Sequence, residues 1–384
     1  MLITRIKLKN WRNFREVDVP LSVRTYLIGP NASGKSNLLD VFRFLRDVCK
    51  PSGGGLQKAV ENRGRISKLR CLHARRDTEV RIEVHLAEGI DEIEPTWKYI
   101  LGFKPEGKGA QRLLVSSEEV WHRDQRILKR PDDKDERDIQ LLTQTHLEQI
   151  QANAEYRSIA EFFSEVNYLH LVPQLLKYGD RIGGQHLEDD PFGQGFLERI
   201  AKCSTRTRDA RLRKIAVALA AAVPQFRELR FHPDEATGRP HLEALYEHHR
   251  PQGAWQREDH FSDGTLRLIG LLWSLLDGDS LLLLEEPELS LNQAVVEQIP
   301  LLIDRAQRQA KHRRQVIIST HSEAILKNPG INGLGVVVLE PGSEGTNVRA
   351  VSEAEKIGLD AGLSVADVVL PQTRPASVEQ MGLW

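Results

Sequence analysis

The chain has 384 residues, which is long enough for two or three packing units. Hydrophobic residues make up 40% and charged residues 28%, a balance typical of a soluble globular protein and not of a disordered one. Because 53 Lys and Arg face 54 Asp and Glu, the formal net charge of -1 excludes nucleic-acid binding by overall charge, and any such contact needs a local basic patch.

The cysteines and the apolar segments indicate a cytoplasmic protein. Cys49, Cys71 and Cys203 lie far apart and form no C-x-x-C pair, so neither a disulfide framework nor a cysteine zinc site is expected. The longest apolar stretches, 215–223 and 269–276, are shorter than the roughly 18 residues of a membrane span. The charged N-terminus does not resemble a signal peptide. We therefore expect a cytoplasmic location and no membrane partner.

Hydrophobic periodicity predicts strands followed by a helix at the start of the chain. Strands are predicted at 3–8, 17–19, 26–28, 80–86 and 97–103. A glycine loop at 29–36 separates the third strand from a helix, and the last two strands have the alternation of a small added antiparallel sheet. The charge-dense segment 129–138 is a candidate connector and domain boundary.

The middle of the chain is predicted to be mostly helical. Helices are predicted at 141–156, 160–171 and 212–223, with a glycine-rich loop at 178–195. Farther on, helices alternate with continuous apolar strands, as a parallel sheet covered on both faces requires. Three parts are predicted: the first part of an α/β domain at 1–138, a helical insertion at 139–230, and the second part of the α/β domain at 231–384.

The segment Gly29–Ser36 (GPNASGKS) matches the phosphate-binding pattern G-x-x-x-x-G-K-S/T, directly after a strand and before a helix. The glycines let backbone N–H groups surround a phosphate, and the helix start adds partial positive charge. Lys35 is expected to reach the terminal phosphates, and the Ser36 hydroxyl to bind Mg²⁺. A chance match has a likelihood of roughly one or two percent, so the sequence predicts an ATP site.

Acidic residues follow a second apolar strand, as in phosphate-loop ATPases. After the apolar run 281–284, Glu285 is expected to hold Mg²⁺ through water, and Glu286 to orient or deprotonate the attacking water. An acidic turn after a core strand is the simpler interpretation, but the phosphate loop favours the catalytic one. His321 ends another apolar strand, 35 positions after Glu286, where a histidine that senses the γ-phosphate is expected.

Ser262 and Gly264 lie at a predicted helix start, in the segment Phe261–Thr265. Capping of that helix is the simplest role for Ser262. Serine and glycine at a helix N-terminus can also form an anion site. The order of the four motifs along the chain decides between these interpretations.

That order resembles the ABC-type ATPases of the SMC/RecF/OLD group. IKLKNWRNFREV is similar to the opening strand and turn of the group, GPNASGKSNLLD to its Walker A motif, FSDGT to its signature motif, and IISTHS to its switch histidine. The resemblance covers about 1–45 and 255–340. It implies an α/β fold, a P-loop NTPase head of ABC type with an added antiparallel sheet and an inserted helical domain.

The resemblance also implies the site residues and the assembly. In this group two heads enclose two ATP molecules, so Ser262 and Gly264 would act on the ATP of a partner head, in an ATP-dependent homodimer. The implied catalytic residues are Glu286, His321 and Lys35, and the implied Mg²⁺ ligands are Ser36 and Glu285. The implied ATP-binding residues are Arg12, Gly29, Asn31, Ala32, Ser33, Gly34, Lys35, Ser36, Asn37, Ser262 and Gly264.

The sequence departs from the group in several places. Glu285 stands where many relatives have aspartate, and Gln57 is not assigned to the Q-loop because a surface role is at least as good an explanation. The middle has no sustained heptads and thus no coiled-coil arm. The residues after His321 lack the acidic clusters of a Toprim nuclease, so the chain looks like a compact OLD-like ATPase.

Two basic clusters, at 58–81 and 199–214, are candidate contacts for the backbone of double-stranded DNA. We therefore expect a nucleotide-gated switch in DNA repair, DNA maintenance or anti-phage defence. The alternative is a regulatory ATPase that does not bind DNA and that scaffolds or restrains a separately encoded nuclease or toxin effector. A transporter nucleotide-binding subunit is the weakest interpretation.

Overall fold

The computed structural model describes residues 1–74, 77–89, 92, 94–107, 112–182, 190, 192–247, 254–310 and 313–373. The chain divides into two compact units, unit 1 (Met1–Asn167 with Arg314–Trp384) and unit 2 (Tyr168–Arg313). Among the described residues, none of the helices combines the length and the apolar character that a membrane crossing needs.

The strands are β1 (Leu2–Trp11), β2 (Phe14–Pro20), β3 (Arg24–Ile28), β4 (Val80–Ala87), β5 (Trp97–Pro105), β6 (Leu113–His122), β7 (Gln125–Arg130), β8 (Asn167–Leu169), β9 (Phe226–Pro233), β10 (Pro240–Tyr246), β11 (Ala254–Arg257), β12 (Leu282–Glu285), β13 (Val316–Thr320), β14 (Val336–Gly342) and β15 (Gly345–Ala350).

The helices are α1 (Lys35–Cys49), α2 (Leu56–Glu61), α3 (Ile66–Leu69), α4 (Asp133–Arg137), α5 (Arg157–Ser164), α6 (Pro173–Ile182), α7 (Phe196–Lys202), α8 (Thr205–Ala222), α9 (Asp263–Leu276), α10 (Gln293–Val296), α11 (Ile299–Gln309), α12 (Glu323–Leu326), α13 (Glu353–Asp360) and α14 (Val365–Val368). Serine hydroxyls cap several of them, because they accept a hydrogen bond from an N–H of the first turn. These caps are Ser204, Ser262, Ser322, Ser352 and Ser364.

Unit 1 contains an antiparallel sheet in the order β2-β1-β4-β5-β6-β7. The predicted small added sheet is confirmed, but it is larger than expected because the opening strands β1 and β2 belong to it. The apolar residues of the alternating pattern form a buried face, in which Phe44 of α1 packs against Trp11 and Phe103 with ring centroids 5.2 and 5.6 Å apart. Burial of this face holds α1 on the sheet.

The other sheet of unit 1 contains neighbouring strands in the order β15-β14-β3-β13. Strands β13 and β14 run parallel to β3, with Thr320 and Val338 both opposite Ile28. The continuous apolar runs of β3, β13 and β14 are buried, as expected for a parallel sheet. Strands β3 and β13 end at the same level, so the residues that follow them share one edge of the sheet, whereas β14 continues to Gly342.

Unit 2 contains β12 beside β8 and a separate antiparallel sheet in the order β11-β10-β9. Helix α8 packs against β9 and α9, and α9 also packs against α11. Helix α9 is apolar along most of its length, so residues Leu266–Leu275 are buried with the exception of Arg267. Burial of α9 fixes the position of its N-terminal residues, which include Ser262 and Gly264.

The two units divide at 167/168 and 313/314, whereas the predicted boundaries were 138/139 and 230/231. Helix α5, which we predicted to belong to the insertion, packs on α1 in unit 1. In the other direction, α9 packs with α8 in unit 2, although we assigned α9 to the second part of the α/β domain. Long-range packing that has no local sequence signal sets these boundaries.

The helical predictions have mixed outcomes. Segment 212–223 is confirmed as part of α8, whereas 160–171 contains the end of α5 and then β8. Segment 141–156 is not an α-helix, because the buried Glu118 carboxylate accepts hydrogen bonds from the N–H groups of His146 and Leu147 at 2.8 and 3.1 Å. The predicted loop 178–195 begins as the end of α6, and its residues 183–189 and 191 lie outside the described residues.

The predicted charged connector 129–138 is the end of β7 followed by α4. Its Arg130 side chain is fully buried and forms ion pairs with Glu118 at 3.1 Å and Asp135 at 2.7 Å. Arg130 also donates to the carbonyls of Gln144 and Leu141, both at 2.9 Å. A charge run that looks like solvated surface therefore includes the central cation of a buried network.

Candidate functional site

In unit 1, the predicted phosphate loop connects β3 to α1. Gly34 caps α1 in the left-handed region at φ 97°, and Ala32 has φ 62°. A Cβ atom on Gly34 would lie 2.3 Å from Asn13 Nδ2, and one on Gly29 would lie 2.7 Å from the Leu339 carbonyl oxygen. Both positions therefore require glycine. Gly34 has a left-handed backbone and lies against the Asn13 side chain, and Gly29 lies against the backbone of β14.

Lys35 and Ser33 give the loop the chemistry of an anion site. The Lys35 ammonium is buried and donates to the carbonyl oxygens of Gly29 at 2.8 Å and Pro30 at 3.1 Å. The Ser33 Oγ is fully buried without a hydrogen-bond partner among the described residues. A cation and an unsatisfied hydroxyl beside the start of a helix fit a phosphate group. Asn31, Ala32 and Ser36 are exposed along the same loop.

Asn13, which sequence reasoning missed, holds the loop from one side. Its Nδ2 donates to the Ser33 carbonyl at 3.0 Å and to Thr346 Oγ1 at 2.8 Å. Its Oδ1 accepts from Asn37 Nδ2 at 2.7 Å. Asn13 therefore links the phosphate loop, α1 and β15. The signal for it in the sequence was its position directly after Arg12, in the turn that resembles the family.

Arg12, which was predicted to contact phosphate, forms an ion pair with Asp40 of α1 at 2.6 Å. Arg63 binds the same carboxylate at 3.0 Å. Burial raises the pKa of Asp40, but the positive charges of Arg63 and Arg12 outweigh burial and hold that pKa below its ordinary value. Asp40 is therefore ionised near neutral pH and positions both guanidinium groups beside α1.

His321 follows β13 at the sheet edge where Gly29 follows β3, because Thr320 pairs with Ile28. The His321 side chain is exposed. The backbone around it is fixed, since Thr320 Oγ1 accepts from the Ser322 N–H at 3.0 Å and Ser322 caps α12. The structure thus brings the predicted switch histidine to the edge that carries the phosphate loop.

In unit 2, Glu285 ends β12 and Glu286 follows it. The Tyr168 hydroxyl donates to the Glu285 carboxylate, a contact that the sequence did not indicate because Tyr168 lies 117 residues earlier. Glu286 has φ 43°, which is uncommon for a residue with a side chain. A strained backbone of this kind persists where the packing and hydrogen bonds around the residue fix its conformation.

Ser262 and Gly264 lie at the start of α9, as predicted. The Ser262 Oγ accepts from the Thr265 N–H at 3.1 Å and lies 2.8 Å from Thr265 Oγ1, which is a helix cap. A Cβ atom on Gly264 would lie 2.6 Å from the Ser290 carbonyl oxygen, so glycine lets α9 approach the loop after β12. Asp263 is held by Lys177 of α6 at 2.8 Å.

The two predicted metal ligands, one in each unit, carry oxygen donors. Ser36 provides a hydroxyl at the first turn of α1, and Glu285 provides a carboxylate, both of which are ligand types that Mg²⁺ prefers. Within the described part of the chain, no group of three or more His, Cys, Asp and Glu side chains could hold a metal ion.

Gln57 has a structural role, since its amide donates to the Leu113 and Thr143 carbonyls and accepts from the Leu113 N–H.

The phosphate loop and the parallel strands beside it define a P-loop NTPase. A family model described as "AAA domain, putative AbiEii toxin, Type IV TA system" matches residues 24–327, and the chain belongs to this family.

Two curated relatives are similar to a segment of the chain. The DNA replication and repair protein RecF of Agathobacter rectalis is 33% identical over 88 residues, which cover 22% of this chain and 24% of that protein. RecF of Roseiflexus castenholzii is 32% identical over 100 residues, with 24% and 25% covered. The chain thus matches about a quarter of the length of these relatives.

Solved structures share the fold over nearly the whole chain. An SMC head bound to the C-terminal winged-helix domain of ScpA has a TM-score of 0.55 at 16% identity, covering 92% of this chain and 99% of that one. The Smc head domain of Pyrococcus yayanosii has a TM-score of 0.52 at 14% identity, covering 94% and 99%. This shared fold confirms the predicted fold class, an α/β P-loop NTPase head of ABC type.

Proposed function

We propose that the chain is a magnesium-dependent ATPase that binds ATP at Gly29–Ser36 and hydrolyses it with Glu286. The observation that supports this most strongly is the geometry of the phosphate loop. Gly34 is left-handed at the cap of α1, the Lys35 ammonium is buried against the loop, and the Ser33 hydroxyl has no partner among the described residues.

The loop residues act by exchanging partners. When ATP binds, the Lys35 ammonium leaves the Gly29 and Pro30 carbonyls for the β- and γ-phosphates. The exposed Ser36 hydroxyl would be available as a metal ligand. Bound Mg²⁺ neutralises phosphate charge, and Ser36 and Glu285 are the residues that would hold it. The Tyr168 hydroxyl fixes the orientation of the Glu285 carboxylate.

Glu286 is the proposed general base. It orients the attacking water and takes a proton from it as the water oxygen bonds to the γ-phosphorus. The bond between the γ-phosphorus and the oxygen that bridges it to the β-phosphate breaks, which gives ADP and phosphate. His321 senses the γ-phosphate. The family resemblance supports a further step, in which Ser262 and Gly264 contact the ATP of a second copy. ATP would then close a homodimer, and hydrolysis would reopen it.

We further propose that the dimer acts on double-stranded DNA, in repair, maintenance or defence against phage. The similarity to RecF supports this role, as does the basic cluster on α8. In that cluster, Arg211 pairs with Asp277 at 2.7 Å and Arg208 lies over the Phe231 ring at 4.1 Å. Exposed Arg206 and Arg213 are therefore the better candidates for phosphate contacts.

The test measures ATP turnover by the wild type and Glu286→Gln, with and without double-stranded DNA, over a salt series. DNA stimulation that falls with salt and is lost in a variant with Arg206→Ala and Arg213→Ala supports the DNA switch. A control variant, Lys134→Ala with Arg137→Ala on α4, removes the same charge elsewhere. Equal loss of stimulation in the two variants would reject a specific role for α8.

A second candidate is a regulatory ATPase that does not bind DNA and restrains a separately encoded toxin or nuclease. The family description supports a link to such systems, since it names a putative toxin and a type IV toxin–antitoxin system. Turnover that needs Glu286 but is indifferent to DNA, together with a neighbour-encoded protein that copurifies, would support this candidate over the DNA switch.

A further inference from the structure

Helices α8, α9 and α11 of unit 2 leave an open apolar groove of about 910 Å³ between them. Helix α9 lines it with Leu268, Leu272 and Leu275, at helical spacing. Helix α8 contributes small residues, among them Ala218 and Ala221, so its wall is low. The groove lies outside all the motifs that the proposed ATPase reaction uses.

The apolar surface continues from the groove to its edges. Val217 on α8 is 76% exposed and Leu301 on α11 is 38% exposed. Isolated apolar residues on a surface need no explanation, but a contiguous apolar patch rimmed by polar residues marks an interaction site.

The charges around the groove have one sign. Among the described residues that line it, the charged side chains are Lys214 on α8 and Arg305 on α11, both exposed. Neither is paired with a carboxylate of the described part of the chain. An apolar floor between two unpaired cations is complementary to an apolar surface with carboxylates along its flanks.

We propose that this groove binds an amphipathic helix of a partner protein, with an apolar stripe and acidic residues beside it. A helix fits because the walls are themselves helices, and a fourth helix would complete a bundle by packing its ridges between theirs. Along the groove, the distance from Gln298, the residue before α11, to Gln309 at its end is about 16 Å, which corresponds to about three turns of the bound helix. The low alanine wall of α8 lets the bound helix approach closely.

The experiment uses the full chain and two synthetic helical peptides of about four turns. The first has leucines at i, i+3, i+4 and i+7 with glutamates on the flanks, and the second has lysine at each glutamate. Fluorescence anisotropy of labelled peptide should show the acidic peptide binding at least about tenfold more tightly. Reversing the rim charges with Lys214→Glu and Arg305→Glu should invert that preference.

A matched pair of variants tests the place of binding. Ala218→Trp fills the groove and should abolish binding, whereas Ala220→Trp, on an exposed face of the same helix that does not line the groove, should leave it unchanged. Equal affinity for the two peptides, or equal binding by the two variants, would overturn the proposal. Thermal unfolding shows whether each variant is folded, and the exposed charge-reversal variant tests the proposal without altering packing.

Two other occupants would also overturn it. If light scattering shows wild-type self-association that Ala218→Trp abolishes and Ala220→Trp retains, the groove binds a second copy of this chain. If the acidic peptide binds only after residues 374–384 are removed, the groove binds that segment of its own chain. None of these measurements depends on nucleotide, so the proposal can fail while the ATPase assignment stands.

Discussion

Replacing Asn13 by alanine removes three hydrogen bonds that hold the phosphate loop. They join Asn13 to the Ser33 carbonyl at 3.0 Å, to Thr346 at 2.8 Å and to Asn37 at 2.7 Å. Since each such bond contributes about 1 kcal/mol, the free energy of unfolding should fall by about 2–3 kcal/mol. The bonds to Ser33 and Asn37 directly order the loop, so nucleotide binding would lose up to about 2 kcal/mol, which is roughly a 30-fold rise in Kd.

The assay combines urea unfolding with titration of a non-hydrolysable ATP analogue in the presence of Mg²⁺. Thr346→Val is the matched control, because it removes one of the three bonds and does not touch the loop. It should lower the unfolding free energy by about 1 kcal/mol and change Kd less than about threefold. If Asn13→Ala destabilises the protein but changes Kd no more than Thr346→Val does, Asn13 does not position the loop.

Four further outcomes are expected. Lys35→Ala should weaken ATP binding by about 2–3 kcal/mol in the same titration. Glu286→Gln should lower turnover at least about 100-fold and trap an ATP-bound dimer; a monomer by light scattering with ATP and Mg²⁺ contradicts this. Arg130→Met should cost about 3–5 kcal/mol in urea unfolding, because the carboxylate of Glu118 stays buried without its cation. Burial raises the pKa of Glu148 from 4.5 to about 7, so its stabilising contribution, complete below about pH 4.5, is lost as pH rises through about 7.

The Glu148 prediction is checked by urea unfolding at several pH values. The penalty on the ionised carboxylate is of the order of 3 kcal/mol, and Glu148→Gln should remove this part of the decline. The sign follows from the direction of the shift, because the folded protein binds this proton more tightly than the unfolded chain does. An identical pH dependence in both proteins would show that Glu148 does not titrate in this range.

Local patterns in the sequence were sufficient for the elements that bear the site. The phosphate loop, the apolar strands that end at Glu285 and Thr320, and the capped start of α9 were all predicted from short segments. Each depends on interactions within a few residues, such as the left-handed Gly34 and the Ser262 cap. The second half of α8 was also predicted, at 212–223, because its buried apolar residues Leu212, Ile215 and Leu219 recur at helical spacing.

Interactions between distant residues were invisible to the same reasoning. Asn13 and Thr346 are 333 residues apart, and Tyr168 and Glu285 are 117 apart. The segment 141–156 has a helical pattern, yet the Glu118 carboxylate binds its backbone and prevents an α-helix. The hydrophobic pattern of 141–156 contains no information about the position of the Glu118 carboxylate on β6.

The sequence by itself determined the class of this protein, since a phosphate loop, a serine–glycine helix start, an acidic strand end and a histidine after a strand occur in the order of an ABC-type head. The tertiary structure alone decided which charges are buried, which side chains hold the loop, and where the two units divide. The physical reason is that motif chemistry is local, whereas burial and pairing depend on residues that meet only after the chain has folded.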